Sequence, residues 1–179
     1  MKADQRELLA EAITALRLRD VMLNRCSFKR PNPPPADSEK VEVRQLTKRA
    51  VSYVLGDVPV EGEEKGRTSK LLQVIVALGI RIAGMRQTKA PIYFEIEADF
   101  LIEYDVKSEI SDAAIKAFAE SNSVHNVWPF WRQHVFDTVS RGRLPHLDIP
   151  LFGGLGSHLP RHTAKAKRVI RRNKRSQST

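Results

Sequence analysis

The sequence predicts an α+β fold in which a four-stranded antiparallel sheet is packed on one face by C-terminal helices. Residues 93–104 alternate between apolar and mostly acidic side chains, which is typical of a long strand with one buried face. Apart from a short N-terminal helix, helical periodicity appears only after this strand, and strands that precede helices in this way favour a segregated α+β arrangement. An extra N-terminal helix and a basic C-terminal tail complete the predicted architecture.

The first half of the chain is predicted to contain one helix and then strands. Leucine and isoleucine recur at helical spacing near the N-terminus, and β-branched or alternating segments follow. The proline-rich cluster 30–35 ends the first strand, because proline cannot donate to a sheet ladder. The charged, glycine-containing stretch 61–69 predicts a surface loop. The predicted elements are a helix at residues 4–18 and strands at residues 19–28, 41–58, 70–82 and 93–104.

Two helices are predicted after the fourth strand. Ser111 is a suitable N-cap for a helix over residues 112–120, because its hydroxyl can accept from a free backbone N–H in the first turn. Asn126 is predicted to cap a longer helix that runs to about Ser140 and ends at a glycine. Pro129 then lies in the first turn, where the missing N–H has no helical partner.

Several functional classes are excluded by composition and spacing. Hydrophobic residues make up 41% and charged residues 28% of the 179-residue chain, which is the balance of a globular protein without a membrane-spanning run. Cys26 is the only cysteine, and Pro160 interrupts the His158/His162 pair, so neither a disulfide nor a metal site is predicted. No residue set suggests a nucleophile with its base. We therefore expect a cytoplasmic protein that is not an enzyme and has no cofactor.

The net charge of +9 is concentrated at one end. Residues 161–179 hold eight basic and no acidic side chains, so residues 1–160 carry only 9 − 8 = +1. The tail is predicted to be either a solvated segment or a contact for nucleic acid, anionic lipid or an acidic protein. The candidate contact residues are Lys165, Lys167, Arg168, Arg171, Arg172, Lys174 and Arg175.

Two linked motifs near the C-terminus carry a family resemblance. Residues 128–130 (Trp-Pro-Phe) are followed by Arg132, and residues 140–147 then read Ser-Arg-Gly-Arg-Leu-Pro-His-Leu. Together with residues 28–32 (Phe-Lys-Arg-Pro-Asn), these motifs resemble the SecB family of protein-export chaperones. The resemblance covers roughly residues 19–155.

This resemblance implies an ATP-independent holdase that captures unfolded or precursor polypeptides in hydrophobic grooves and assembles as a dimer of dimers. A groove of this kind shelters the apolar groups that an unfolded chain exposes, without reading its sequence. Core packing is the alternative role for each aromatic or aliphatic candidate. By position, the client-binding candidates are Trp128, Phe130, Trp131, Leu144, Leu147, Ile149 and Phe152.

The resemblance leaves the partner open. SecA, the export motor, is contacted in this family through acidic residues of the exposed sheet face, and the matching residues here are Glu95, Glu97, Asp99 and Glu103. Some SecB-like proteins instead protect an antitoxin, so a chaperone of a toxin–antitoxin system or of another single client is one alternative. A nucleic-acid or anionic-membrane adaptor that acts through the tail is another. The predicted division is an N-terminal helix (1–18), a SecB-like domain (19–156) and a basic tail (157–179).

Overall fold

The computed structural model describes residues 3–33, 42–59, 68–85 and 90–150. Within these residues, a helix, four strands and a second helix follow one another, which confirms the predicted α+β fold. The elements are α1 (Ala3–Ala15), β1 (Leu16–Lys29), β2 (Val43–Pro59), β3 (Thr68–Gly84), β4 (Ile92–Val106) and α2 (Asp112–Arg141).

The four strands form one antiparallel sheet in the order β1-β4-β3-β2. β3 and β4 therefore lie at the centre, and β1 and β2 form the edges. β2 pairs with β3 without interruption from Val43 to Pro59. β1 pairs with β4 less regularly, with register shifts between Leu18 and Asp20 and between Leu23 and Arg25.

The hydrophobic core lies between α2 and one face of the two central strands. The even-numbered residues from Leu72 to Ile82 and from Phe94 to Tyr104 are all buried, which confirms the alternation predicted for both strands. The Tyr104 ring packs edge-on against Phe118 of α2 with ring centroids 5.1 Å apart. We call this side of the sheet the covered face and the opposite side the open face.

α2 is one continuous helix of 30 residues, so the prediction of two separate helices was wrong. Asn126 is not a cap: its side-chain amide donates to the Tyr104 hydroxyl at 3.0 Å. Pro129 consequently lies in the helix interior, where a proline costs about 3 kcal/mol relative to alanine. Burial of apolar side chains on both sides of the expected break, including Val124 and Val127, offsets this cost.

Both ends of α2 lie where the sequence placed a helix end. Ser111 is the N-cap, and its Oγ accepts from the Ala114 N–H at 3.2 Å. At the other end the Gly142 N–H donates to the Thr138 carbonyl at 2.8 Å, and a Cβ on Gly142 would lie 2.9 Å from that same oxygen. The close approach, and not an unusual backbone angle, favours glycine at this position, since the φ of Gly142 is −76°. The left-handed backbone conformation belongs to the next residue, Arg143, with a φ of 48°.

Two predicted boundaries near strands were also wrong. α1 ends at Ala15, and residues 16–18, predicted as helix, begin β1 because they pair with β4. The predicted loop 61–69 extends too far, since Thr68 and Ser69 pair with the end of β2; residues 61–67 lie outside the described residues.

α1 is fixed to the start of α2, because the Glu11 carboxylate accepts from the Ser111 N–H at 2.7 Å.

Candidate binding groove

Beyond the end of α2 the chain folds back along the same helix. The Leu144 N–H donates to the Val139 carbonyl at 3.0 Å, and the Trp128 Nε1 donates to the Pro150 carbonyl at 2.9 Å. These two hydrogen bonds hold residues 144–150 as a strip beside the C-terminal half of α2, and we call this segment the return strip. Half-buried side chains that pack it against the core are Leu144, Leu147 and Ile149.

An open groove of about 390 Å³ lies between α2 and the return strip. Phe136 on the helix wall is 60% exposed, an unusual state for a phenylalanine beside a packed core. Six apolar residues and four charged or polar residues line the groove. Its lining residues are Pro129, Arg132, Gln133, Val135, Phe136, Val139, His146, Leu147, Asp148 and Ile149.

The structure distributes the predicted client-binding residues over three environments. Leu147 and Ile149 line the groove, and half-buried Leu144 anchors the start of the return strip. Trp128 and Trp131 are buried, with Trp131 only 2% exposed. Their rings pack in the core and do not line the groove. Phe130 is exposed on α2 but does not line the groove, and Phe152 lies outside the described residues. Direct client contact by these side chains stays a prediction.

Phe136 and Val139 line the groove but were not among the predicted site residues. For Phe136 the sequence did contain a signal, because this ring lies off the helical stripe that Trp128, Trp131 and Val135 form. An aromatic side chain away from the buried stripe of a helix needs a second partner. Val139 belongs to the buried stripe by spacing, and only the return strip places it in the groove.

One titratable side chain lies close behind the groove. His134 stacks on Trp131 with ring centroids 6.1 Å apart. Burial lowers the pKa of His134, while the nearby Asp137 carboxylate acts in the opposite direction. The lowered pKa favours the neutral imidazole over the charged form.

The open face of the sheet carries the acidic residues that the sequence predicted as a partner contact. All four have a cross-strand partner: Glu95 pairs with Arg81, Glu97 with Lys48 at 2.9 Å, Asp99 with Arg25 at 2.8 Å and Glu103 with Gln73 at 2.7 Å. The hydrogen bond from the Lys48 ammonium holds the pKa of Glu97 below its ordinary value, against the opposing effect of burial. A contact between this face and SecA stays a prediction.

Other classes of site receive no support from the described part of the chain. No group of three histidine, cysteine or carboxylate side chains within it is arranged to hold a metal ion. None of the helices it contains is long and apolar enough to cross a membrane. The basic tail residues 165–175 lie outside the described residues.

The sheet order, the antiparallel pairing and the long helix on one face define a SecB-like fold. Among solved structures, the chain is similar to the Mycobacterium tuberculosis Rv1957 SecB-like chaperone, determined in complex with a ChAD peptide from the Rv1956 HigA1 antitoxin. The TM-score is 0.57 at 16% sequence identity, and the similarity covers 83% of this chain and 99% of that chain. No family model and no curated protein matches the sequence.

Proposed function

We propose that this protein is an ATP-independent chaperone that binds extended segments of non-native polypeptides in the groove between α2 and the return strip. The observation that carries the proposal is an exposed Phe136 beside an apolar groove on a SecB-like fold. Leaving a large aromatic side chain in water has no structural benefit, whereas covering it with a client removes apolar area from water.

The groove suits an extended chain for two physical reasons. Its apolar walls accept the side chains that an unfolded chain exposes, irrespective of their order. The return strip also belongs to no helix or sheet ladder, so residues 146–149 can offer backbone groups to an extended client. Each such site is weak alone, but several sites engaged by one long client gain affinity through effective concentration.

An aggregation assay tests the proposal directly. The full-length chain, in severalfold excess and without ATP, should suppress aggregation of a slow-folding precursor protein after dilution from denaturant. Phe136→Ala should weaken the affinity for a labelled unfolded polypeptide by about fivefold to tenfold, the loss expected for about 1–1.4 kcal/mol of apolar contact. Fluorescence anisotropy measures the affinity.

Phe130→Ala is the matched control, because Phe130 is an exposed phenylalanine of the same helix outside the groove. A smaller effect at Phe130 than at Phe136 supports the groove. Equal effects would indicate a diffuse apolar surface and would contradict the proposed site. Unchanged aggregation in the presence of the wild-type protein would contradict the proposed activity.

A dedicated client is the second candidate, and the structural neighbour favours it because that protein was solved with an antitoxin peptide. A dedicated chaperone should bind one segment, such as a peptide of an antitoxin encoded beside it, far more tightly than unrelated unfolded chains. A general export chaperone should bind many precursors with similar affinities. Competition between one labelled segment and a panel of unfolded proteins separates the two.

The proposed chaperone also has an expected assembly and an expected export partner. We propose a dimer of dimers, for which native mass measurement should give about four times the 20.3 kDa chain mass; a monomer would contradict it. A role in protein export further requires that the chaperone act in the cytoplasm and bind SecA. Co-sedimentation with SecA measures this binding. The alternative role, a nucleic-acid or anionic-membrane adaptor that acts through the tail, would be contradicted if binding of an oligonucleotide or of anionic vesicles survived deletion of residues 161–179.

A further inference from the structure

In each ion pair of the open face, the acidic side chain is less exposed to solvent than its basic partner. The acidic group therefore lies close to the sheet and the basic group lies outside it. In the Arg25–Asp99 pair, the Arg25 side chain is 74% exposed and the Asp99 side chain only 15%. The same order holds in the Lys48–Glu97 and Arg81–Glu95 pairs. A partner that approaches this face therefore meets a basic layer, although the residues of β4 beneath it are acidic.

A recess interrupts this basic layer at Gly79 on β3. Because Gly79 has no side chain, Lys48 of β2 crosses above it and donates to Glu97 of β4 at 2.9 Å. A Cβ on Gly79 would lie 3.3 Å from Glu97 Cγ and 3.4 Å from Lys48 Cβ, so even alanine would narrow the recess. The recess has a volume of about 270 Å³ and is lined by Leu46, Thr47, Lys48, Gly79, Ile80, Arg81, Glu95 and Glu97.

The bases around the recess retain unused donors. An ammonium has three N–H donors and Lys48 uses one on Glu97, whereas a guanidinium has five and Arg81 directs two of its nitrogens at one oxygen of Glu95. Lys29 and Arg44 are two further exposed bases at this end of the face, where β1 places Lys29 beside Glu95 and β2 places Arg44 beside Ala83. Neither forms a hydrogen bond or a close ion pair with another described residue, although the charge of Lys29 helps to lower the pKa of Glu97.

We propose that the open face around Gly79 binds a carboxylate-rich polypeptide segment, with one acidic side chain entering the recess between Lys48 and Arg81. Lys48 and Arg81 line the recess above Glu95 and Glu97, and the exposed Lys29 and Arg44 add positive charge at the same end of the face, so the local charge favours an anionic partner. A carboxylate can accept from the unused N–H groups of both recess bases at once. This surface is separate from the groove, and the inference does not rest on the proposed chaperone activity.

The shape of the site favours a polypeptide over other anionic partners. A single side chain can enter a recess between two bases, whereas a bilayer surface contacts only the outer ends of such bases. Binding of single-stranded nucleic acid depends largely on aromatic rings that stack on bases. The described lining of the recess contains no aromatic ring. Binding to a bilayer and binding to an oligonucleotide are therefore the alternatives that the experiment must distinguish from binding to a polypeptide.

The experiment uses the full chain and two fluorescein-labelled 12-residue peptides, one of alternating Glu and Ser and one of alternating Lys and Ser. Anisotropy should show tighter binding of the Glu peptide, and this binding should weaken as salt is added. Lys48→Gln combined with Arg81→Gln should weaken it about fivefold or more, because both recess donors become neutral. Gly79→Ala should also weaken it, without any change of charge.

Matched controls separate the recess from general charge. Arg17→Gln combined with Arg19→Gln removes two bases at the other end of the sheet and should change the affinity less than about twofold. The backbone amide of Gly79 should shift in NMR spectra as the Glu peptide saturates. Thermal unfolding of each variant confirms that it is folded.

Four results with the peptides and the variants would overturn the proposal. They are preference for the Lys peptide, equal losses in the recess and control variants, a folded Gly79→Ala protein with unchanged affinity, and a Gly79 amide that does not respond. Preference for the Lys peptide would instead support the acidic contact predicted from the sequence. Binding of anionic vesicles or an oligonucleotide that Gly79→Ala leaves intact, with no binding of the Glu peptide, would likewise overturn it.

Discussion

The covered and open faces of the sheet alternate residue by residue along the same strands, but their side chains are held by different interactions. Ile102 is fully buried beneath α2, whereas Leu101 beside it is only half-buried on the open face. The covered face gains free energy from removing apolar area from water, and the open face from surface ion pairs that each contribute little. Burial on the covered face therefore contributes most of the free energy of folding, and the open face is available for contacts with partners.

Of the substitutions considered, Trp131→Ala should destabilise the packing on the covered face most. Trp131 is almost fully buried, so its truncation should lower the free energy of unfolding by about 3–5 kcal/mol. Urea denaturation measures this loss. Phe136→Ala, on the exposed side of the same helix, should change the same quantity by less than about 0.5 kcal/mol. Similar losses at both positions would contradict the assignment of Phe136 to the groove.

Ile102→Ala and Leu101→Ala compare the two faces at adjacent positions of one strand. We expect a loss of about 2–5 kcal/mol for the buried isoleucine and about 1 kcal/mol for the leucine, which already contacts water. Chemical denaturation of the two variants gives the difference. A larger loss at Leu101 would mean that a second layer covers the open face.

A double-mutant cycle on Arg25 and Asp99 measures what an open-face pair contributes. Because Arg25 is largely exposed, we expect a coupling free energy of about 0.2–1 kcal/mol that decreases with added salt. A salt-independent coupling well above this range would show that the pair is shielded from solvent, for example by another copy of the chain.

The smallest effect that we expect is a pH dependence from Glu97. Its pKa is lowered in the folded state, so the unfolded state binds more protons as the pH falls. The resulting stability is present above the ordinary pKa of 4.5 and is lost as the pH falls through the lower folded pKa. Lys48→Gln removes the main cause and should reduce this loss between pH 5 and the acid limit of about pH 2. An unchanged acid slope in denaturation curves would contradict the role of Lys48.

Much of the fold followed from local sequence patterns. The alternation in β3 and β4 predicted which side chains are buried, because side chains on a strand point to opposite faces in turn. Ser111 predicted the start of α2, since the cap depends on a contact only three residues away. The motif resemblance also predicted the SecB-like fold that the structural similarity shows.

The remaining features depended on contacts between residues far apart in the chain. Pro129 and Asn126 suggested a helix boundary by local rules, but packing on the sheet carried α2 through both. The aromatic stripe of α2 was visible in the sequence, yet only the return strip decided that Phe136 borders a groove and Trp131 does not.

The sequence by itself determined the strands, the helix start and the alternation of charged with apolar residues, because these patterns depend on local geometry. It also showed an acidic row on β4. Only the tertiary structure decided that this row lies beneath a basic one. Lys48 and Glu97 are 49 residues apart, and the strand register that joins them across Gly79 comes from long-range pairing, which no local pattern encodes.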